Sequence, residues 1–174
     1  YWSYLSLFLT DKGFKLLTVT QNWGQFAEMF FMLLIPMAIA RVGLKWAMVI
    51  GLIAQLVRYG SFLAGDMLGM DIFYFIAILV HGLIFGFFFV GGQIYVDRRA
   101  PKEIRAQAQG FMFLMTFGVG LLIGNFLGDW LIKFYTVDDV RQWEPVWMWT
   151  TVVSAVVVVL FAALFRSKVA GRSA

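Results

Sequence analysis

Cysteine is absent from the 174 residues, which excludes disulfides and thiolate metal sites. The single histidine, His81, leaves no histidine-rich metal cluster, so neither a metal nor a cofactor is expected. Charge is scarce as well: Asp, Glu, Lys and Arg make up 14% of the chain, against roughly a quarter in a soluble domain. Catalytic signatures are missing too. There is no H-E-x-x-H, no G-x-S-x-G and no G-x-x-x-x-G-K-[ST], and Glu28 has no second acid nearby in sequence with which to form a catalytic pair. An enzyme is not expected.

What fills the space is apolar. The chain is 61% hydrophobic and 18% aromatic, with mean hydropathy +0.82. Apolar runs of about 20 residues recur, the length that crosses a bilayer. The fold class expected is an all-α membrane protein, with helices over 1–10, 15–40, 46–64, 71–95, 106–134 and 146–165. Short connectors and no composition shift argue for one helical bundle over 1–174. The first helix is too short to span, and Tyr1 lies inside an apolar run, so a truncated helix with further chain upstream is expected. Pro36 is expected to kink the second helix, and residues 41–45 to form a basic loop. Arg58, about six positions from a helix end, reads as a snorkelling or ion-paired residue. Gly82 and Gly86 form a G-x-x-x-G pair suited to close helix approach. Thr116, Gly120, Gly124 and Gly128 repeat four apart, a ladder that reads as a packing face.

The net charge of +4 does not point to nucleic acid, because the cations sit in short inter-helix segments. One side carries nine: Arg41, Lys45, Arg98, Arg99, Lys102, Arg105, Arg166, Lys168 and Arg172. The other carries four: Lys12, Lys15, Lys133 and Arg141. The positive-inside rule makes the nine-cation side cytoplasmic, and with it the C-terminus. The setting expected is a multi-pass protein of the cytoplasmic (inner) membrane.

Within the second helix, Gln21, Gln25 and Glu28 fall at i, i+4 and i+7, so the three share one face. An ionised acid at a helix centre in hydrocarbon costs roughly 2.5–3.5 kcal/mol, so Glu28 must face protein or a watery cavity. Two readings stand: a lining for a solute or proton path, or a carboxylate that only bonds a neighbouring helix. His81 is open in the same way, as a weak candidate for proton coupling or as a neutral imidazole bonded to another helix. Phe85 shares the face of His81 and could stack a planar ligand.

Several stretches resemble one family. Ala40-Arg41-Val42-Gly43-Leu44-Lys45 looks like the inter-helix loop motif of the major facilitator superfamily, and Pro101-x-x-x-Arg105-x-x-Ala108-x-Gly110 like its counterpart before the eleventh helix. Gln25-x-x-Glu28, Leu56-Val57-Arg58-Tyr59-Gly60 and the run from Ile104 to Gly110 are similar to the nucleoside:proton symporter family of bacterial nucleoside permeases. The resemblance implies the carboxy-terminal six-helix bundle of a twelve-helix transporter whose amino-terminal half lies outside this chain. It implies that Gln25 and Glu28 line a nucleoside site with Phe85 beside it; Gln21 is added as a candidate because it shares their helix face. The expected partners are a nucleoside or similar small polar solute, protons, the lipid bilayer and the other half of the protein. One departure stands out: family members carry an aspartate where this chain has Gly86, which puts the usual proton coupling in doubt. A transporter of another polar solute, or a non-transporting sensor or assembly subunit with the same fold, are the alternatives.

Overall fold

Long apolar stretches in lipid satisfy their backbone polar groups internally, and here they do so as helices. The computed structural model describes residues 1–166, so Lys168 and Arg172 of the basic tail lie outside the described residues. Six helices follow in order: α1 (Leu5–Asp11), α2 (Leu17–Met32), α3 (Ile35–Leu68), α4 (Asp71–Arg99), α5 (Lys102–Phe134) and α6 (Trp143–Leu164). Four of them, α3 to α6, are long and apolar enough to cross a membrane. A two-residue hairpin, β1 (Thr136–Val137) with β2 (Val140–Arg141), joins α5 to α6. Its turn residues Asp138 and Asp139 have φ of 48° and 62°, the left-handed geometry that matches strand twist in tight hairpins.

The segmentation differs from expectation around Pro36. The helix expected over 15–40 is broken at Leu33 and Leu34, where the Leu34 N–H turns back to the Phe31 carbonyl at 3.0 Å. Proline has no N–H to give to the turn before it, and it sits instead in the first turn of α3, where none is needed. The basic loop expected over 41–45 shrinks to one non-helical residue, Gly43, with φ 79° and ψ 163°. That conformation is closed to most L side chains, so a single glycine performs the turn. The second expected span is thus α2 plus residues 35–42, and the third is the remainder of α3.

Short as it is, α1 is packed into the bundle. Phe8 and Leu9 are completely buried. The Phe8 ring meets Phe62, Tyr74, Trp143 and Trp147 edge-on, with centroids 5.0–5.4 Å apart. Such pairs contribute about 0.5–1.5 kcal/mol each beyond burial, which matters where lipid removes the hydrophobic drive. At the end of α1, Arg141 donates to both Asp11 carboxylate oxygens at 2.9 Å, and Trp143 Nε1 donates to one at 2.8 Å. Lys12 pairs with Asp66 at the same end. Arg105 lies 3.4 Å from Asp97 across the α4–α5 connection.

Two further differences concern α5 and Arg58. Among the described residues the glycine ladder of α5 is largely unpacked: at Gly124 the space is open, while a Cβ at Gly128 would lie 2.7 Å from the ring of Tyr4, just before α1. The ladder instead lines a groove of about 890 Å³ with Tyr1, Tyr59 and Trp147. Arg58 does not snorkel. It is 4% exposed and holds no carboxylate among the described residues. It lies on the regularly spaced buried stripe Ala47, Gly51, Ala54, Arg58, Ser61 and Gly65, the face α3 turns into the bundle.

Candidate functional site

The crossing of α2 and α4 is set by glycine. A Cβ at Gly82 would stand 2.4 Å from the backbone nitrogen of Glu28 and 2.6 Å from the Ala27 carbonyl oxygen, so the two backbones touch. On α2, a Cβ at Gly24 would stand 3.1 Å from the Ile78 carbonyl oxygen and 3.4 Å from His81 Cβ. Each helix therefore offers a glycine to the other, within a turn of the acid or the imidazole. The consequence is a short gap: His81 Nε2 lies 3.8 Å from Glu28 Oε2, with Glu28 half-buried and His81 buried.

Helix α4 is irregular where it passes the acid. Its regular turn closes at Val80, and residues Ile84–Val90 run in wider π-type turns. Residues Leu114–Gly120 of α5 do the same, and the Phe89 and Phe117 rings of the two wide segments meet at 5.2 Å. Wide turns of this kind recur at functional sites because they re-aim side chains that a regular helix would stack. The first of them contains Phe85, whose ring centroid is 6.4 Å from that of His81 and 5.8 Å from that of Phe89.

The residues proposed from sequence separate into two groups. Glu28, His81 and Phe85 come together at the crossing. Gln25 is exposed and, among the described residues, makes no side-chain hydrogen bond. Gln21 is drawn off the seam: its Nε2 donates to Ser6 Oγ at 2.8 Å, tying α2 to α1. Gly86 is buried with Ile35 Cδ1 3.1 Å and Met32 Cα 3.8 Å from where a Cβ would be, so a side chain there would project to the α2–α3 break rather than to His81.

Sequence reasoning missed Arg58 as part of this cluster. Its Nη1 donates to His81 Nδ1 at 3.1 Å and its Nη2 to Gln55 Oε1 at 3.4 Å, while its guanidinium carbon sits 3.9 Å from the centre of the Tyr1 ring. The small-residue stripe of α3 was the available signal, since a cation on that stripe cannot reach an interface. The line Arg58, His81, Glu28 thus joins α3, α4 and α2 through polar atoms in the middle of an apolar bundle.

The sequence model described as Nucleoside H+ symporter matches residues 2–170, nearly the whole chain. The chain belongs to the nucleoside H+ symporter family. Among its relatives, YegT of Escherichia coli K12 is 35% identical over 95% of this chain, and the nucleoside permease NupG of the same organism 30% over 87%. The xanthosine permease of E. coli K12 is 33% identical over 72%. The chain spans 41% of the length of YegT, 36% of NupG and 30% of the xanthosine permease. Crystal structures of NupG and of a NupG mutant superpose with TM-scores of 0.77 and 0.79 at 28% and 30% identity, covering 85% of this chain and 37% of each. As a member of this family, with four helices able to cross a bilayer, the chain is part of a multi-pass membrane protein.

Proposed function

We propose that this chain is the carboxy-terminal bundle of a secondary active transporter that moves nucleosides across the cytoplasmic membrane by alternating access, coupled to protons through Glu28, with its C-terminus in the cytoplasm. The observation that carries the reading is the backbone-to-backbone crossing at Gly82, which holds an acid beside an imidazole and a ring at the centre of the bundle. Family membership and likeness to a nucleoside permease supply the substrate class. In this reading the Gln25 amide, able to donate and accept at once, takes a sugar hydroxyl or a base edge. Phe85 offers its face to the base. Glu28 accepts and releases the coupling proton, and rocking of this bundle against the amino-terminal half exposes the site to each side in turn. Gln21, engaged with Ser6, is assigned to the rim.

Gly86 favours a second reading, in which the solute passes with altered proton coupling or none, because this position lacks the aspartate that the resemblance leads one to expect. Counterflow of radiolabelled uridine into proteoliposomes of the full-length gene product tests the site. Gln25→Ala is expected to raise the uridine KM about tenfold, the order of one to two lost hydrogen bonds to a bound solute. Unchanged counterflow in Gln25→Ala and Glu28→Ala together removes the assignment.

A further inference from the structure

We propose that Arg58 is a positioning residue of the transport site: it fixes the tautomer of His81, so that the imidazole turns its Nε2–H toward Glu28. Its consequence for nucleoside binding rests on the transport reading above; the tautomer itself rests on geometry alone. A guanidinium only donates hydrogen bonds. With Arg58 Nη1 3.1 Å from His81 Nδ1, that nitrogen must present its lone pair, and a neutral ring then carries its proton on Nε2. The other tautomer would set N–H against N–H.

Both partners are held in place. Arg58 is buried, gives Nη2 to Gln55 and lies over the Tyr1 ring, while its Nε has no hydrogen-bond partner among the described residues. His81 is stacked on Tyr1, with centroids 5.6 Å apart and planes at 25°, and meets Trp2 edge-on at 5.3 Å. The imidazole is therefore clamped on a face and an edge, and Arg58 decides which nitrogen keeps the proton. Toward the seam, Nε2, the nitrogen left with the proton, lies 3.8 Å from Glu28 Oε2, too far for a direct bond but beside the carboxylate. A donor and an acceptor side by side suit a hydroxyl, which accepts from one and donates to the other. The class of group this pair recognises is a sugar hydroxyl of the nucleoside.

Histidine-selective ¹⁵N labelling of the full-length protein in proteoliposomes reads the tautomer directly, with the His81 signals assigned by their loss in His81→Gln. The result expected is an unprotonated Nδ1 and a protonated Nε2 in the wild type. Arg58→Met is expected to give a mixture of both tautomers and to raise the uridine KM about tenfold, with kcat within about threefold. Arg58→Lys, whose ammonium also only donates, is expected to restore the single tautomer. A wild-type Nδ1 that carries the proton, or an unchanged tautomer in Arg58→Met, overturns the proposal. Should Arg58→Met not fold, Arg58→Gln, whose amide can accept as well as donate, is the second variant, and a tautomer unchanged there overturns the proposal. A correct tautomer in a protein that moves no nucleoside overturns the transport reading and the functional half of the proposal, and leaves the tautomer assignment standing.

Discussion

Glu28→Gln in the full-length protein is expected to abolish uphill accumulation of uridine while leaving counterflow within about threefold of wild type. Glutamine keeps the shape of the side chain and an amide that can still bond a hydroxyl, but it cannot exchange a proton near neutral pH. Downhill exchange needs only a site that binds and rocks. Accumulation needs a group that takes a proton on one side and loses it on the other. A pH gradient of one unit corresponds to about 1.4 kcal/mol per proton, so one coupled proton supports about tenfold accumulation of a neutral nucleoside. The variant is expected to stop at equal concentrations inside and out. Glu28 is proposed for the role as the carboxylate at the crossing, 3.8 Å from His81 and next to the Gly82 contact. Persisting accumulation in Glu28→Gln would move the coupling acid elsewhere in the protein.

Gly82→Val carries the other large effect. The position has no room at all, since even a Cβ would lie 2.4 Å from a backbone atom of α2, which cannot swing aside as a flexible side chain would. The helices must separate by roughly an ångström or more, and in lipid the lost close contact is much of what holds them together. Overpacking of this kind costs about 3 kcal/mol or more, enough to remove most folded protein. Gly110→Ala provides the comparison: nothing lies within 4 Å of its Cβ position, and helix propensity favours alanine by about 0.5–1 kcal/mol. Thermal unfolding in detergent, followed by size-exclusion recovery, is expected to show Gly82→Val lost and Gly110→Ala at least as stable as wild type. Equal stability of the two would mean that α2 and α4 do not touch at this glycine.

Much of this was legible in the chain because membrane helices announce themselves by length and hydropathy, and because a 3.6-residue period places Gln25 and Glu28 on adjoining turns. The G-x-x-x-G pair signalled close approach, and at Gly82 the α2 backbone is what approaches. Hydropathy was blind in other places. It cannot tell that Pro36 opens a new helix instead of bending an old one, since both leave the apolar run unbroken. It read the first helix as too short to span, and said nothing of the four aromatic rings that converge on Phe8. The α5 ladder carries the small-residue pattern of a packed face, yet the pattern says nothing of which element, inside or outside these residues, comes to meet it. Arg58 was misjudged by its distance from a helix end, when its place on the small-residue stripe of α3 was the stronger physical cue.

The most direct measurement asks what surrounds the exposed amide of the seam. These 174 residues hold no native cysteine, so Gln25→Cys and the exposed Val159→Cys can each be made in a full-length protein freed of any other cysteine and treated in vesicles with a membrane-impermeant maleimide. If the seam opens to a water-filled vestibule, Gln25→Cys is labelled, excess uridine slows the labelling, and Val159→Cys on α6 stays unmodified. A Gln25→Cys as inert as Val159→Cys would put the seam against lipid and contradict the account.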